Sequence, residues 1–167
     1  MRSPYVAALA NKLGEKYGID ANVILAIAHV ESALDQYAVR FEANYKWTVT
    51  VERYAKLLGI TAATEQVLQR MSWGPMQLMG ANARGFGFEG HLTQLAGDVE
   101  AAMDLSVQFL QQRYKLNEPD MRAIRGWSEP AIAAYNAGSA VRLANGRWAN
   151  EDYVKRVRKE YDRLRLS

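Results

Sequence analysis

Apolar residues recur along most of this chain at three- and four-residue steps, which is the spacing of one face of a helix. Helices are predicted to begin at Pro4, after Asp20, near 49 and 61, at Pro75, after Asp98, at Ser128 and near Asn150. Residues 35–47 lack this period and predict a loop or a short strand. Because no repeat or linker interrupts the pattern, we predict a mainly α fold with a small loop or short-strand lobe, in a single domain over residues 1–167.

The helix predicted after Asp20 ends in a carboxylate, Glu31, that follows a mostly apolar run from Ile24 to Val30. An ionised carboxylate in apolar surroundings costs several kcal/mol unless it finds a partner or takes up a proton. A carboxyl group that stays protonated near neutral pH is what a general acid requires. From the spacing alone, Glu31 is either such an acid or a solvated residue in the last turn of a helix.

Composition narrows the function without defining it. With 21 basic and 18 acidic residues the net charge is +3, a mildly basic balance that suits nucleic acid and bacterial cell wall equally. Absence of cysteine excludes disulfides and thiolate zinc sites, and we expect neither a metal nor a cofactor. No run approaches the ~18 apolar residues of a membrane span, and Asn11 and Lys12 break the first apolar run, so we expect neither stable membrane insertion nor a cleaved signal peptide.

Three short segments carry residue types that plain packing does not need. They are Glu31-Ser32, the stretch from Ser72 to Gln77, and the stretch from Ala133 to Gly138. Small residues in the last two let backbones approach closely, while Gln, Tyr and Asn side chains supply directed hydrogen bonds. These are the properties of residues that line a binding cleft.

At these residues the chain resembles the soluble lytic transglycosylases with a goose-type-lysozyme-like catalytic domain, the SLT family. The family pattern is Glu-Ser, then Ser-x-Gly-Leu-Met-Gln, then Ala-Tyr-Asn-Ala-Gly, and Tyr153-Val154 matches a weaker fourth element. The resemblance covers roughly 20–157 and implies a lysozyme-like fold. Pro75 stands where the family has Leu, and an insertion at roughly 44–71 replaces a short loop, in a position to rebuild one wall of the cleft.

The resemblance implies a peptidoglycan lytic transglycosylase that cleaves the β-1,4 bond between N-acetylmuramic acid and N-acetylglucosamine. Glu31 is expected to protonate the leaving oxygen and then to accept the proton of the muramyl 6-hydroxyl, which closes a 1,6-anhydro ring. The substrate-binding residues that it implies are Ser32, Ser72, Met76, Gln77, Tyr135 and Asn136. Capping or turn formation is the alternative for both serines, and core packing is the alternative for Met76.

Several alternatives stay open at this level. Glu42 is a candidate second carboxylate, which would make the protein a lysozyme-type hydrolase, although an ion pair with Arg40 is favoured. Among the four tryptophans that could stack on sugars, Trp73 is preferred because it adjoins a matched segment. A non-catalytic wall-binding protein and a basic helical nucleic-acid binder are further alternatives, but the latter explains none of the three segments.

The biological setting is also an expectation drawn from the resemblance. Small single-domain bacteriophage endolysins of this type are similar in size and lack signal peptides. We therefore expect a monomer that is made in the host cytoplasm, binds the glycan strands of peptidoglycan rather than nucleic acid, and lyses the host after export by a holin.

Overall fold

A computed structural model describes residues 4–118 and 126–166 of the chain. Within these residues the fold is mainly helical with a small antiparallel sheet, as predicted. The helices are α1 (Pro4–Tyr17), α2 (Ala21–Ser32), α3 (Val51–Leu58), α4 (Ala62–Gln69), α5 (Gly80–Gly85), α6 (Val99–Asn117), α7 (Glu129–Ala137) and α8 (Glu151–Arg165), with a 3-10 helix, Leu92–Ala96, before α6. The strands are β1 (Val39–Phe41), β2 (Met71–Trp73) and β3 (Leu78–Met79).

Side-chain caps begin several helices where the sequence predicts them. Asp20 accepts a hydrogen bond from the backbone N–H of Asn22 at the start of α2. Asp98 and Ser128 cap α6 and α7 in the same way. Each cap satisfies a backbone donor that the first helical turn leaves without a partner, which is why these boundaries can be predicted from local sequence.

Helix α2 lies at the centre of the fold. Every residue from 23 to 28 is buried, and a segment that is apolar on all sides must be enclosed by other elements. Helix α8 packs along α2, while α1 packs against both α2 and α6. Because its apolar turns are enclosed, the last turn of α2, which carries Glu31, is held in a defined position.

The sheet joins segments that are distant in sequence. Strand β1 pairs with β2, with Val39 opposite Trp73 and Phe41 opposite Met71, and β2 pairs with β3. The expected short strand within 35–47 is therefore confirmed. The helix predicted over 61–71 ends instead at Gln69, because Met71 enters the sheet.

The prediction of a helix that begins at Pro75 is wrong. Pro75 lies in the turn between β2 and β3, and the next helix begins at Gly80. The turn uses the left-handed region at Gly74 (φ +70°) and at Gln77 (φ +51°). A Cβ at Gly74 would also lie 2.9 Å from the Cβ of Ala102, so both the backbone angle and the close packing on α6 favour glycine there.

Candidate active site

A cleft of about 750 Å³ brings together segments that are far apart in the sequence. Its volume lies in the range of ligand-binding clefts, and both polar and aromatic side chains face it. Its walls include Glu31, Arg40, Glu42, Asn44, Tyr45, Trp47, Ser72, Gln77, Asn82, Phe109, Arg113, Tyr135 and Asn136. Residues from each of the three segments singled out in the sequence thus lie around one cleft.

Glu31 lies in the last turn of α2 as a half-buried carboxylate on the wall of this cleft. Its pKa is raised above the ordinary value, chiefly because burial disfavours the charged form. The Tyr153 hydroxyl and the positive charges of Arg40 and Arg156 oppose this rise, and the negative charge of Glu42 adds to it. The net effect favours the protonated carboxylic acid, which is the form a general acid needs.

Two buried tyrosines flank the Glu31 carboxyl group from different helices. Among the described residues, the Tyr153 hydroxyl of α8 finds no partner of ordinary hydrogen-bond geometry, yet it lies close enough to Glu31 to lower the pKa of that carboxyl. The Tyr135 hydroxyl of α7 donates to the backbone carbonyl of Met76 at 2.9 Å. Burial and the charge of Glu31 raise the pKa of both phenols, so both remain hydroxyl donors at working pH.

Ser72 and Gln77 form an internal hydrogen-bond network at the base of the hairpin. The Ser72 hydroxyl donates to Gln77 Oε1 at 2.8 Å, and Gln77 Nε2 donates to the carbonyls of Ala38 and Gly74 at 3.1 and 2.9 Å. Gln77 faces the cleft, but its amide group is occupied in holding β1, β2 and the turn together. The geometry therefore gives this pair a role in shaping the cleft wall.

Ser32 and Met76 do not line the cleft. The Ser32 hydroxyl donates to the carbonyl of Pro75 at 2.8 Å, which ties the end of α2 to the hairpin turn. The Met76 side chain is fully buried in the hydrophobic core, and only its carbonyl reaches the site, as the acceptor from Tyr135. This corrects the expectation that the Met76 side chain contacts substrate. Burial in the core removes this apolar side chain from water, which stabilises the fold.

Asn136 lies at the rim of the cleft, at the end of α7. It is exposed, and its Oδ1 accepts a hydrogen bond of 3.0 Å from Asn150 Nδ2. Asn150 Nδ2 also donates to the carbonyl of Ala133 at 3.0 Å. The contact links the end of α7 to the start of α8, which carries Tyr153.

Glu42 lies in the same cleft as Glu31 but already has a cationic partner. Arg40 Nε donates to Glu42 Oε1 at 2.5 Å, so the favoured ion pair is present. A hydrogen bond from a guanidinium to a carboxylate is charge-assisted and short. Glu42 thus has a direct ion-pair partner, whereas burial is the main influence on the pKa of Glu31.

The preference for Trp73 among the tryptophans is wrong. Its side chain is 2 % exposed, and its indole N–H donates to the carbonyl of Leu68 at 3.3 Å. Trp47 is 76 % exposed and lines the cleft. Proximity to a motif in sequence does not predict whether a tryptophan is exposed, because exposure depends on how distant segments pack.

Several cleft residues escaped the sequence analysis. Tyr45, Asn82 and Arg113 line the cleft and carried no signal, and Tyr153, which lies near Glu31 but outside the cleft lining, was signalled only through the weak fourth element. Within residues 4–118 and 126–166, no three acidic or histidine side chains converge in a way that could hold a metal ion. In the same part of the chain, no helix combines the length and apolar character needed to cross a membrane.

The fold is lysozyme-like, with a glutamate of raised pKa at the end of the central helix, beside a small sheet and an open cleft. The chain belongs to the transglycosylase SLT domain family, whose model matches residues 8–160. It is thus a glycosidic-bond-cleaving enzyme of the lytic transglycosylase type, and its substrate is peptidoglycan. Comparisons with curated proteins and with solved structures gave no match.

Proposed function

We propose that this protein cleaves the β-1,4 bond between N-acetylmuramic acid and N-acetylglucosamine by lytic transglycosylation, with Glu31 as the catalytic acid and base. The observation that carries the proposal is the raised pKa of the Glu31 carboxyl on the wall of the cleft. A carboxyl group in such surroundings holds a proton ready for a leaving oxygen.

The reaction begins when protonated Glu31 donates its proton to the glycosidic oxygen, which leaves as the 4-hydroxyl of N-acetylglucosamine. The bond from that oxygen to C1 of the muramyl sugar breaks, and positive charge develops at C1 as in other glycosidases. The muramyl 6-hydroxyl then attacks C1 and gives its proton to the Glu31 carboxylate. This closes the 1,6-anhydro ring, consumes no water and returns Glu31 to its acid form.

The tyrosines beside Glu31 support both halves of this cycle. When Glu31 is ionised after the first proton transfer, the Tyr153 hydroxyl stabilises the carboxylate, as its lowering effect on the Glu31 pKa indicates. Tyr135 is engaged with the carbonyl of Met76, so it acts as a positioning residue that fixes the hairpin against α7. Ser32 has the same kind of role through the carbonyl of Pro75.

Mass spectrometry of the soluble products from purified peptidoglycan tests the reaction type. We expect muropeptides with 1,6-anhydro-muramyl ends, which are lighter by one water than hydrolysis products. The Glu31→Gln variant is expected to release neither product. Reducing ends in place of anhydro ends would contradict the transglycosylase reaction, and unchanged lysis by Glu31→Gln would remove Glu31 from the mechanism.

A lysozyme-type hydrolase is the second candidate, because Glu42 lines the same cleft. In a hydrolase, an ionised second carboxylate activates water or attacks C1. The ion pair with Arg40 occupies one of the Glu42 oxygens. Glu42→Gln separates the two reactions: a transglycosylase keeps most of its activity, whereas a hydrolase that depends on Glu42 loses it.

For the biological role we propose host lysis as an endolysin, with export that depends on a holin. The support is the resemblance of the chain to small enzymes of this type. Expression in a bacterium with and without a co-expressed holin tests this role. Lysis that requires both the holin and the Glu31 carboxyl is expected, and lysis by Glu31→Gln would contradict it.

A further inference from the structure

Trp47 is the most exposed tryptophan among the described residues, and it lies on the wall of the cleft that contains Glu31. An indole that is 76 % exposed keeps most of its apolar faces in water. Isolated exposed apolar residues are common and need no explanation by themselves. What distinguishes Trp47 is the way the loop that carries it is held.

One end of this loop is fixed by Arg70, the residue that follows α4. The backbone N–H of Glu42 donates to the Arg70 carbonyl at 2.9 Å, and Arg70 Nη2 donates to the carbonyl of Ala43. The Arg70 guanidinium also lies over the ring of Phe41, 5.1 Å from its centroid. Strand β1 and the first residues after it are thereby tied to the end of α4.

The other end is fixed by the neighbouring residue, Gln69, which is fully buried. Its Oε1 accepts from the N–H of Val49 at 2.7 Å, and its Nε2 donates to the Val49 carbonyl at 2.8 Å. Gln69 Nε2 also donates to Glu65 Oε1 at 2.9 Å, and Glu65 is paired with buried Arg84. The Gln69 side-chain amide thus forms two hydrogen bonds with the Val49 backbone, as a neighbouring strand would. Its hydrogen bond to Glu65 connects it to the buried Glu65–Arg84 ion pair.

We propose that the anchored loop 43–49 is a sugar-binding wall of the cleft, in which Trp47 stacks on a pyranose ring of the glycan strand. This inference rests on the proposed function for the identity of the glycan. The two anchors shorten the free loop to the residues between Ala43 and Val49, so less conformational freedom is lost when substrate binds. An aromatic face held in this way matches the apolar face of a β-1,4-linked N-acetylated sugar.

The polar neighbours of Trp47 fit the same ligand. Asn44 lines the cleft beside it and offers both a donor and an acceptor for hydroxyl or acetamido groups. Arg40 also lines the cleft; its Nε is paired with Glu42, and its remaining guanidinium donors suit the lactyl or peptide carboxylates of peptidoglycan. The insertion that separates this chain from the short-loop pattern of the family thus contributes binding specificity, while Glu31 contributes the chemistry.

Binding is tested in the Glu31→Gln background, which prevents cleavage during the measurement. The variants are Trp47→Ala, Trp47→Phe and, as a matched control, Tyr5→Ala, since Tyr5 is a 50 % exposed aromatic residue of α1 outside the cleft wall. Co-sedimentation with insoluble purified peptidoglycan gives the affinity. Tryptophan fluorescence during titration with a soluble N-acetylglucosamine tetrasaccharide reports whether the indole itself contacts sugar.

We expect Trp47→Ala to weaken binding about tenfold, equivalent to about 1.4 kcal/mol. Trp47→Phe keeps an aromatic face and is expected to stay within about threefold of the parent, or about 0.65 kcal/mol. Tyr5→Ala is expected to bind as the parent does. The ligand-induced fluorescence change should disappear in Trp47→Phe, since Trp73 and Trp148 are buried and the partly buried Trp127 packs on Tyr161 outside the cleft wall.

Equal binding by Trp47→Ala and the parent overturns the proposal, as does an equal loss in the Phe and Ala variants. Circular dichroism of each variant shows that a loss does not come from unfolding. Because the measurement detects binding without cleavage, a negative result at Trp47 leaves the role of Glu31 untouched. If Glu31→Gln remained active, the catalytic proposal for Glu31 would be wrong. The role of Trp47 could then still be tested by comparing KM and kcat between the Trp47 variants and the parent.

Discussion

Glu65 and Glu31 differ in what the fold places around their carboxyl groups. Glu65, in α4, is fully buried, and Arg84 of α5 donates Nε and Nη2 to its two carboxylate oxygens at 2.7 and 3.0 Å. Glu31, in α2, is half-buried, and among the described residues it forms no ion pair within 4.0 Å. The Glu65 carboxylate is thus paired with Arg84, whereas the Glu31 carboxyl group has a tyrosine hydroxyl and more distant cations near it.

The difference separates a glutamate with a structural role from the glutamate that we propose as the catalytic acid. A bidentate arginine satisfies both oxygens of Glu65, so that the pair acts as a fixed link between α4 and α5. Glu31 lacks such a partner, and burial raises its pKa. The protonated form of Glu31 is therefore favoured relative to that of an ordinary glutamate.

The largest expected effect concerns the rate of the reaction. Glu31→Gln keeps the shape of the side chain but cannot transfer a proton, and loss of a general acid or base lowers rates roughly 10²–10⁴-fold. Turbidity loss of a peptidoglycan suspension measures this. Glu100→Gln, at an exposed glutamate paired with Lys12, is the control and should leave the rate unchanged. Activity within tenfold of the parent for Glu31→Gln would contradict the assignment.

The second effect concerns stability at the Glu65–Arg84 pair. Arg84→Met leaves Glu65 buried without its partner, and breaking a buried pair in this way costs about 3–5 kcal/mol of the free energy of unfolding. Replacing both residues with Met removes the unpaired charge and should recover a large part of that loss. Urea denaturation of the single and double variants measures the difference. Equal stability of the two variants would show that the pair is not coupled.

A third, smaller effect concerns the pH dependence of the reaction. Because Glu31 must begin protonated, kcat/KM is expected to fall as the pH rises through the Glu31 pKa. Tyr153→Phe removes an interaction that lowers this pKa, so the fall should move to higher pH, with a loss of rate at acidic pH of at most about tenfold, or about 1.4 kcal/mol.

Tyr161→Phe is the matched control for this measurement. Its hydroxyl lies on the same helix but donates to Asp20 at 3.0 Å, away from the cleft wall. Its pH profile should follow that of the parent. A Tyr153→Phe profile that moves to lower pH, or does not move, would mean that the hydroxyl does not stabilise the Glu31 carboxylate.

The smallest effect is a gain in stability. With its pKa raised above the ordinary value of 4.5, Glu31 binds more protons in the folded than in the unfolded state, so the free energy of unfolding falls as the pH rises through this range. Glu31→Gln removes this penalty and should raise Tm by about 2–4 °C at pH 7, or about 1 kcal/mol. Below about pH 4 the advantage should disappear, because Glu31 is then protonated in both states. Calorimetry at several pH values measures it, and an unchanged or lower Tm at pH 7 would contradict the unmatched burial of Glu31.

Local sequence was sufficient to predict the features of the molecule that arise from interactions between neighbouring residues in the chain. The caps at Asp20, Asp98 and Ser128 each act within three residues, and the predicted helix starts agree with them. Glu31 could be singled out because the apolar turns before it lie in the same helix. The mainly helical fold was predicted correctly because the helical period is a local pattern. The family was predicted correctly because the matched segments are short stretches of consecutive residues.

Interactions across the chain account for what the sequence analysis missed. The hairpin over 71–79 forms because β2 pairs with β1, thirty residues earlier in the chain, so the helix expected at Pro75 does not form. The fully buried side chain of Met76 depends on the same hairpin. The carbonyl that it presents to Tyr135 of α7 has no signature in the sequence.

By itself, the sequence determined where the capped helices begin, which family the chain belongs to and which carboxylate is the candidate acid. Only the tertiary structure decided that Tyr153, more than 100 residues away, faces Glu31, and that Trp47 rather than Trp73 faces the cleft. The reason is physical: caps and helical period arise from neighbours in the chain. Exposure, desolvation and the pKa of a carboxyl group depend on everything that packs around it, and only the folded chain brings those groups together.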